Sequence, residues 1–579
     1  MIKRIAFFFK SVRLSFVCSI LFAAGASGLQ LLLPYLMGKA IDEIHGVGSV
    51  DFAALTHYTV WMGCAVVGCA LCHWLTKLFS NKMAFRIGRA VRLDIMHKLD
   101  HLPIAYYDKT AHGDILSVVT NDTETITEGI QNSASQLFCG VFTLIGTLVL
   151  MFSLNWAITL IVVVLTPFAF LLSSFIVKNI DKTFKKQQQT VGALNAYAKE
   201  HIEAAKTIKA YALEDDSRAQ FEDINEQLYT YGQKAQFFSS LVNPTTRLMN
   251  SSTYIIVGVV CALLVMRSDS FGTEQMTIGL TAAFLSYALQ FAAPINAITN
   301  VTAQLQAAYA SFGRIFSIFD ARSEPKEAEN TPALQVKSGA IAFEHVQFSY
   351  TKDKPIIRDV SFQIPPGSKV AVVGPTGAGK TTLVNLLMRF YDADSGEIRI
   401  DGKNTAGVSR DSLRTSFAMV LQETFLFHDS VRANIAYAKP QASEQEVIKA
   451  AQDAYAHSFI KRLPQGYDTV ISAGGEELSA GQKQLLTIAR AMLADAPMLI
   501  LDEATSSVDT LTEIKIQKAF EKLMKGKTSF VIAHRLSTIV ESDLILVMQG
   551  GDIVEVGTHE KLLASGGVYS ELYYAQFEK

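Results

Sequence analysis

The residues best suited to chemistry lie in a glycine-rich loop in the second half of the chain. Gly374–Thr382 has the pattern G-x-x-x-x-G-K-T-T; it follows the apolar run Val370–Val373 and precedes the apolar stretch Leu383–Leu387. In a strand–loop–helix order, glycines let backbone N–H groups wrap phosphates, and the helix N-terminus adds its dipole. Lys380 would reach the β- and γ-phosphates, and Thr381 would be a ligand of Mg²⁺. The pattern and its flanks predict a site for a nucleotide phosphate chain.

Two further apolar runs end in side chains that could serve phosphate chemistry. Met498–Leu501 continues directly into Asp502 and Glu503. Near a phosphate loop, Asp502 would order the coordination shell of Mg²⁺, and Glu503 would polarise the water that attacks the γ-phosphate. Phe530–Ala533 ends in His534. Taken alone, His534 is better explained as a solvated histidine at the end of a strand.

The elements around these residues predict an α/β domain in the last part of the chain. From Ser338 onward, short β-rich runs alternate with helical stretches. The first predicted strands are Ile341–Tyr350, Val360–Ile364 and Val370–Val373. The segment Leu478–Gln482 stands directly before an apolar stretch of helical type. Each candidate residue therefore lies at the end of a predicted strand or at the start of a predicted helix.

The composition differs between the two halves of the chain. Of its 579 residues, 49% are hydrophobic and 18% are charged, and the net charge is −2. Apolar residues concentrate in the first half, which together with the length predicts at least two domains. The nearly neutral charge gives no argument for a nucleic-acid partner.

The first half contains apolar runs long enough to cross a lipid bilayer. Six are predicted as membrane spans: Phe16–Met37, Tyr58–Phe79, Ala134–Leu154, Ala157–Val177, Leu248–Met266 and Ile278–Ile298. The stretches 80–133 and 178–247 have helical spacing of apolar and charged residues and are predicted as helical extensions into the cytoplasm. Within the first of them, Gly113-Asp114 is predicted as a turn.

Charged residues between the spans predict the orientation in the membrane. Basic residues lie before the first span and after the second and fourth, whereas acidic residues follow the first and the fifth. Positive charge marks the cytoplasmic side, so both termini are predicted to be cytoplasmic. That orientation places the phosphate loop where ATP is available. The charges concerned are Lys3, Arg4, Lys10, Arg13, Lys82, Arg86, Arg89, Arg92, Lys98, Lys178, Lys182, Lys185 and Lys186 against Asp42, Glu43, Asp51, Asp269 and Glu274.

All six cysteines fall inside apolar stretches, where cysteine usually acts as a small hydrophobic residue. Cys69 and Cys72 form a C-x-x-C pair, but no second pair or histidine cluster accompanies it. Packing between membrane helices is therefore favoured over metal binding or redox chemistry, and a disulfide framework is not predicted.

The order of these motifs resembles the nucleotide-binding domain of the ABC transporter superfamily. The six-span half before it resembles the exporters of that superfamily, the multidrug and lipid-A half-transporter group. The resemblance implies a multidomain chain: a six-helix α-helical transmembrane domain with long cytoplasmic extensions, followed by an α/β P-loop NTPase domain of ABC type. The expected boundaries are 1–320 for the membrane domain, 321–337 for a linker and 338–579 for the nucleotide-binding domain.

The resemblance also implies roles for individual residues. Tyr350 matches the aromatic residue that stacks on adenine, although a tyrosine at a strand end is the simpler alternative. Gln422 matches a glutamine that meets the Mg²⁺ site and contacts the membrane domain, and Ser507-Val508-Asp509 matches a loop at the domain interface. His534 matches a histidine that senses the γ-phosphate. The implied catalytic residues are Glu503, His534, Lys380 and Gln422; the implied nucleotide-binding residues are Tyr350, Gly374, Pro375, Thr376, Gly377, Ala378, Gly379, Lys380, Thr381, Thr382, Ser479, Ala480, Gly481, Gln482 and Asp509; and the implied Mg²⁺ ligands are Thr381, Gln422 and Asp502.

In the family, two nucleotide domains close head to tail, with each ATP held between one phosphate loop and the signature segment of the other domain. This chain has one phosphate loop, Gly374–Thr382, and one segment that matches the signature, Leu478–Gln482. The resemblance therefore implies half of a dimer that binds ATP and Mg²⁺. Its signature has Ala480 where the family usually has glycine while Glu503 is retained, a combination that favours a heterodimer over a homodimer. The implied function is ATP-driven export of a drug, lipid or peptide across the cytoplasmic membrane.

Alternatives to export remain open at this point. An importer of the same architecture, or an ATP-gated channel or regulator, would share the motifs of the nucleotide-binding domain. The substrate is not predicted. Polar residues in and near the spans could face a cavity, or they could cap helix ends or form hydrogen bonds between helices, which is favoured. They include Asn243, Arg247, Asn250, Tyr254, Tyr287, Gln290 and Asn296.

Overall fold

A computed structural model describes most of the chain. It covers the backbone of residues 2–44, 50–267, 277–328, 330–351, 354–422, 424–502, 509–532 and 536–577. Side chains are described in the same ranges apart from residues 2, 3, 6, 167–181, 242, 243, 246, 267, 296, 298–300, 536, 537, 576 and 577.

The first half of the chain is helical. Its helices are α1 Ile2–Lys10, α2 Arg13–Asp42, α3 Phe52–Leu99, α4 Ile104–Lys109, α5 His112–Ser117, α6 Thr123–Leu154, α7 Trp156–Glu203, α8 Ala205–Tyr211, α9 Glu214–Arg267 and α10 Ile278–Asp320. A π-helical turn, Val118–Asp122, joins α5 to α6. Gly113-Asp114 lies in the first turn of α5, so the predicted turn there was wrong: the chain turns earlier, at Thr110–Ala111, and Asp114 suits the positive end of the helix dipole.

Within the described part of the chain, five helical segments are long and apolar enough to cross a membrane: Arg13–Asp42, Phe52–Leu99, His112–Leu154, Arg247–Met266 and Ile278–Ile295. They include five of the six predicted spans. The remaining predicted span begins α7, where the described apolar part is Trp156–Thr166 and the following side chains lie outside the described residues. Several of these helices continue far beyond the apolar stretch; α3 has 48 residues and α9 has 54.

Two hydrophobic clusters hold these helices together. One lies within the spans and contains Phe284, Tyr287 and Phe291 of α10; the Tyr287 hydroxyl donates to the backbone oxygen of Leu31 at 2.7 Å. The other packs α1, α3, α6 and α10 around residues such as Ile87. These buried contacts fix the helix register, because close packing leaves each side chain little room to move.

The second half of the chain is built of alternating strands and helices. Its strands are β1 Ile341–Thr351, β2 Lys354–Ile364, β3 Lys369–Val373, β4 Ser395–Ile400, β5 Lys403–Asn404, β6 Phe417–Val420, β7 Asp429–Ser430, β8 Val470–Ile471, β9 Met498–Asp502, β10 Thr528–Ile532, β11 Leu544–Gln549 and β12 Asp552–Gly557. Its helices are α11 Lys380–Leu387, α12 Arg410–Thr415, α13 Val431–Ala436, α14 Glu444–Asp453, α15 His457–Ile460, α16 Ala480–Ala494, α17 Thr510–Met524, α18 Leu536–Val540, α19 His559–Ser565 and α20 Val568–Phe577.

The strands form a central six-stranded sheet in the order β12-β11-β3-β10-β9-β6 and a second, antiparallel sheet in the order β2-β1-β4-β5. In the central sheet β11, β3, β10, β9 and β6 run parallel. Side chains alternate between the two faces of a strand: Val370 and Val372 join a core shared with the antiparallel sheet, whereas Ala371 and Val373 join a core shared with α13, α14, α16 and α17. Because the parallel strands are covered on both faces, they are mainly apolar.

Contacts divide the chain into two compact units. One comprises Met1–Asp100 and His112–Ala321, and the other comprises His101–Ala111 and Arg322–Lys579. The short segment His101–Ala111, which contains α4, therefore belongs by its contacts to the α/β unit, although it lies between α3 and α5 in sequence.

Candidate functional site

The glycine-rich loop joins the end of β3 to the start of α11, as predicted. Gly374 has φ 153°, and a Cβ there would overlap the backbone oxygen of Met548 on the neighbouring strand β11. Gly379 is the N-cap of α11 with φ 105°, a conformation that L side chains rarely adopt. The loop geometry therefore requires glycine at both positions, and it brings the chain tightly round into the helix.

The Lys380 side chain folds back over the loop. Its ammonium donates to the backbone oxygens of Gly374 at 2.7 Å and Pro375 at 3.1 Å. Burial lowers the pKa of Lys380, and the negative charge of Asp502 partly opposes that effect. The cation thus lies at the mouth of the loop and close to the carboxyl end of β9, where a phosphate chain would be neutralised.

Two neighbouring threonines begin α11 with different surroundings. Thr381 is exposed, whereas Thr382 is buried. The hydroxyls of Thr382 and Tyr350 lie 3.2 Å apart. Among the described residues no side chain caps the N-terminus of α11, so its first N–H groups face the loop. That leaves the donors of a helix N-terminus available to an anion.

The carboxyl ends of the parallel strands bring the acidic candidates to this same edge. In the sheet Ile532 of β10 is paired on one side with Asp502 and on the other with Val372, just before the loop. Gln422 lies two residues beyond the end of β6, which pairs with β9, and it is exposed. A threonine hydroxyl, a carboxylate and an amide oxygen are the oxygen ligands that Mg²⁺ accepts, so this donor set fits the ion.

Some predicted residues fall outside the part of the chain that the structure describes. These are Glu503 and Ser507-Val508, directly after β9, and His534, just after β10. Asp509 is described: it is the N-cap of α17 and accepts from the backbone N–H of Thr512 at 2.9 Å. That hydrogen bond lowers the pKa of Asp509 and keeps it ionised.

Tyr350, predicted to stack on adenine, stands in an aromatic cluster beside the loop. Its ring meets Phe348 edge-on at a centroid distance of 4.9 Å and Tyr391 at 4.9 Å. Asn385 of α11 donates to its hydroxyl at 3.4 Å. The ring remains 36% exposed, so its position is fixed by packing while part of its surface stays open for a base to stack on.

Tyr391 is a residue that the sequence patterns missed. Its hydroxyl donates to the Asp108 carboxylate at 2.5 Å. Burial raises the pKa of Tyr391, and the adjacent carboxylate raises it further, so the phenol stays a donor. Nothing in the sequence indicated Tyr391 as the contact of Asp108. The aromatic cluster therefore links α4 to the phosphate loop.

The signature segment forms the start of α16. Ser479 is the N-cap and makes a capping box with Gln482: its hydroxyl accepts from the Gln482 N–H at 3.3 Å, and the Gln482 side chain accepts from the Ser479 N–H at 3.0 Å. Gly481 is buried and Ala480 is exposed. These hydrogen bonds stay within the segment, which presents a second helix N-terminus separate in sequence from the phosphate loop.

The fold and this site define a P-loop nucleotide-binding domain fused to a membrane-spanning helical domain. The family model for the ABC transporter transmembrane region matches residues 16–295, and the ABC transporter model matches residues 357–506. The chain belongs to the ABC transporter family. It is therefore an ATP-binding, ATP-hydrolysing transporter and a multi-pass membrane protein, as predicted.

Relatives and solved structures agree with this assignment over nearly the whole chain. A fatty acid ABC transporter ATP-binding/permease protein of Mycobacterium bovis is 41% identical, over 95% of this chain and 85% of its own length. An ATP-dependent lipid A-core flippase of Haemophilus influenzae is 34% identical, over 96% of this chain and 95% of its own. The structure of a bacterial Atm1-family ABC exporter with ATP bound superposes with a TM-score of 0.77 at 28% identity, covering 99% of both chains. The predicted fold class and the exporter assignment are confirmed, whereas the number of spans is not fixed at six.

Proposed function

We propose that this chain is one half of a dimeric exporter that uses ATP to move an acyl-bearing lipid or fatty acid out of the cytoplasm. The dimer is supported by the presence on one chain of two anion sites that lie at the starts of different helices. The phosphate loop ends at α11, and the signature segment begins α16 with its own capping box. A complete ATP site of this family type needs both, so a second half-transporter supplies the missing one.

The site residues have distinct roles in this proposal. The phosphate loop, Lys380 and Tyr350 hold the nucleotide, and Ser479–Gln482 meets the nucleotide held by the partner. Thr381, Asp502 and Gln422 would hold Mg²⁺, which neutralises phosphate charge when bound. Glu503 orients the attacking water, and His534 senses the γ-phosphate.

The topology and the substrate class are also part of the proposal. The apolar helices and the charge pattern support insertion in the cytoplasmic membrane with both termini inside. We assign 1–320 to the membrane domain, 321–337 to the linker and 338–579 to the nucleotide domain. The relatives named above support an acyl-bearing substrate, since one is named for fatty acids and the other for lipid A-core.

The test is ATP hydrolysis and transport by the purified chain in proteoliposomes. Glu503→Gln should lower the Mg²⁺-dependent ATPase rate by about 10²–10⁴-fold, the usual contribution of a positioned base, while nucleotide binding persists. Glu560→Gln, an exposed acid on α19, is the matched control and should retain the wild-type rate. Labelled fatty acid should accumulate inside inside-out vesicles only with hydrolysable ATP. Near-wild-type turnover by Glu503→Gln, or equilibration without ATP, would refute the proposal.

A further inference from the structure

A cavity of about 380 Å³ lies between α9 and α10 in the membrane unit. It is lined by Arg247, Asn250, Ser251, Tyr254, Ile255 and Leu289. The five residues from α9 are spaced by three and four positions, so they share one face of that helix. A smaller enclosed cavity of about 30 Å³ shares Asn250, Tyr254 and Leu289 with it and adds Thr166 and Thr253; it is large enough for a water molecule.

Arg247 provides the formal charge among the described residues that line the larger cavity. It stands at the first residue of the apolar segment Arg247–Met266. The ion pairs among the described residues of this unit do not include it. A cation at a membrane span is costly unless it faces water, a partner charge or a ligand. Among the residues that the structure describes, this guanidinium at the open cavity therefore has no ion-pair partner.

The lining changes from polar to apolar along the helix. Asn250, Ser251 and Tyr254 provide hydrogen-bonding groups next to Arg247, whereas Ile255 is 62% exposed and Leu289 is 52% exposed. The helical rise of 1.5 Å per residue separates Arg247 from Ile255 by roughly 12 Å. A ligand that matches this cavity lining has an anionic head at one end and an apolar chain at the other.

The volume and the charge narrow the class of ligand. About 380 Å³ lies near the lower end of the range of roughly 300–1,000 Å³ for small-molecule sites, which suits one acyl chain rather than several. One guanidinium balances one negative charge, and its paired N–H groups match a carboxylate with two parallel hydrogen bonds.

We propose that this cavity binds a long-chain fatty acid, with its carboxylate against Arg247 and its chain along Ile255 and Leu289. The inference rests on the proposed function, because it names the substrate of that exporter. Arg247, Asn250 and Tyr254 belong to this proposed site. Tyr287 does not, because its hydroxyl is already bonded to α2.

The experiment measures binding of labelled palmitate to the full-length protein in phosphatidylcholine nanodiscs at pH 8. Methyl palmitate has the same chain without the charge, and acetate has the carboxylate without the chain. Wild-type protein should bind palmitate about tenfold more tightly than the ester, the size expected from a charge-assisted hydrogen bond, and acetate should not compete. This comparison needs no variant, so it does not depend on a mutant folding.

Two substitutions then test the residue. Arg247→Gln should bind palmitate and its ester with similar affinity, and Arg247→Lys should recover part of the preference. Arg86→Gln, a change of the same kind on α3, should bind like the wild type. Equal affinity for acid and ester in the wild type would overturn the proposal, and so would a preference that survives in Arg247→Gln, since Arg247 would then only anchor the helix at the membrane surface.

The ATPase rate of the same wild-type sample separates the two proposals. If it hydrolyses ATP but shows no preference for the acid, the fatty-acid site fails and the exporter stands. If it does not hydrolyse ATP, the proposed function itself fails.

Discussion

Replacing Tyr391 by phenylalanine removes one hydroxyl and leaves the aromatic ring in place. The ring keeps its contacts with Phe348 and Tyr350, at centroid distances of 5.4 Å and 4.9 Å. The lost group is the donor to Asp108, on the segment His101–Ala111 that packs with the α/β unit. The substitution therefore isolates the link between α4 and the aromatic cluster beside the phosphate loop.

The expected magnitude follows from the setting of this hydrogen bond. A hydrogen bond to a charged group typically contributes about 1.5–3 kcal/mol. Asp108 is exposed, so water competes for the carboxylate and about 1 kcal/mol is a better value. ATP can bias the helical unit only through contacts that differ between its two conformations. Losing about 1 kcal/mol of such a contact changes the populations by about fivefold.

The assay is transport per ATP hydrolysed in proteoliposomes. Tyr391→Phe should lower that ratio by up to about fivefold, because hydrolysis continues while less of it is converted into movement. The Michaelis constant for ATP should change by less than about twofold, since the ring beside Tyr350 is retained. Tyr574→Phe, on α20 and 47% exposed, is the matched control.

A double-mutant cycle decides whether the hydrogen bond is responsible. Asp108→Ala and Tyr391→Phe should each lower the ratio, and the double variant should resemble either single variant. Additive losses would refute the reasoning, and so would an unchanged ratio in Tyr391→Phe, because the two residues would then act independently or not at all.

Three further outcomes are expected elsewhere in the α/β unit. Gly374→Ala should weaken ATP binding, measured by calorimetry, by more than tenfold (about 1.4 kcal/mol), because the added methyl overlaps Met548 and the φ of 153° is strained. Ser479→Ala removes the capping box and should cost about 1 kcal/mol, or about 2–4 °C in the melting temperature of this domain. Burial acts to raise the pKa of Asp401. The carboxylate accepts hydrogen bonds from Ser338 and from the N–H groups of Lys337 and Ala340, and these lower its pKa to about 2. Its contribution to stability is therefore present above the unfolded pKa of about 3.9 and is lost as the pH falls towards 2. Asp401→Asn should reduce the change of the denaturation midpoint with pH over that interval.

The residues at the strand ends of the α/β unit could be predicted because the local sequence pattern and the chemistry of the side chains indicate the same site there. An apolar strand, a glycine-rich loop and a helix follow one another around Lys380, and the carboxyl ends of parallel strands must share an edge. Asp502 was placed at such an end from its sequence alone, and the pairing of β9 with β10 puts it beside the loop. The same logic predicted the signature segment at a helix start.

Contacts between distant residues could not be predicted in this way. Tyr391 and Asp108 are 283 positions apart, and no period or motif joins them. In the spans, Tyr254 and Tyr287 have the same chemistry in similar apolar surroundings. The first lines a cavity and the second bonds to α2, a difference set by helix packing and not by composition. Helix capping or hydrogen bonding between helices was the favoured interpretation for the polar residues of the spans. Hydrogen bonding between helices fits Tyr287, whereas Tyr254 lines a cavity.

The N-termini of α11 and α16 differ in how their backbone N–H groups are used, and this difference matters for the proposed dimer. Any helix start leaves about four N–H groups without helical partners. On α11 the preceding residue is Gly379, and no described side chain takes those donors. On α16 the Ser479 hydroxyl already accepts one of them, and Ala480, the first helical residue, is in ordinary helical backbone. In the proposed dimer, the loop would therefore bind phosphate within the single chain, and the signature segment would contribute when a partner's nucleotide competes with its cap. Ala480 fits the helical backbone, so its methyl group would affect that contact through its bulk, and the expected heterodimer stays a prediction based on Ala480 together with the retained Glu503.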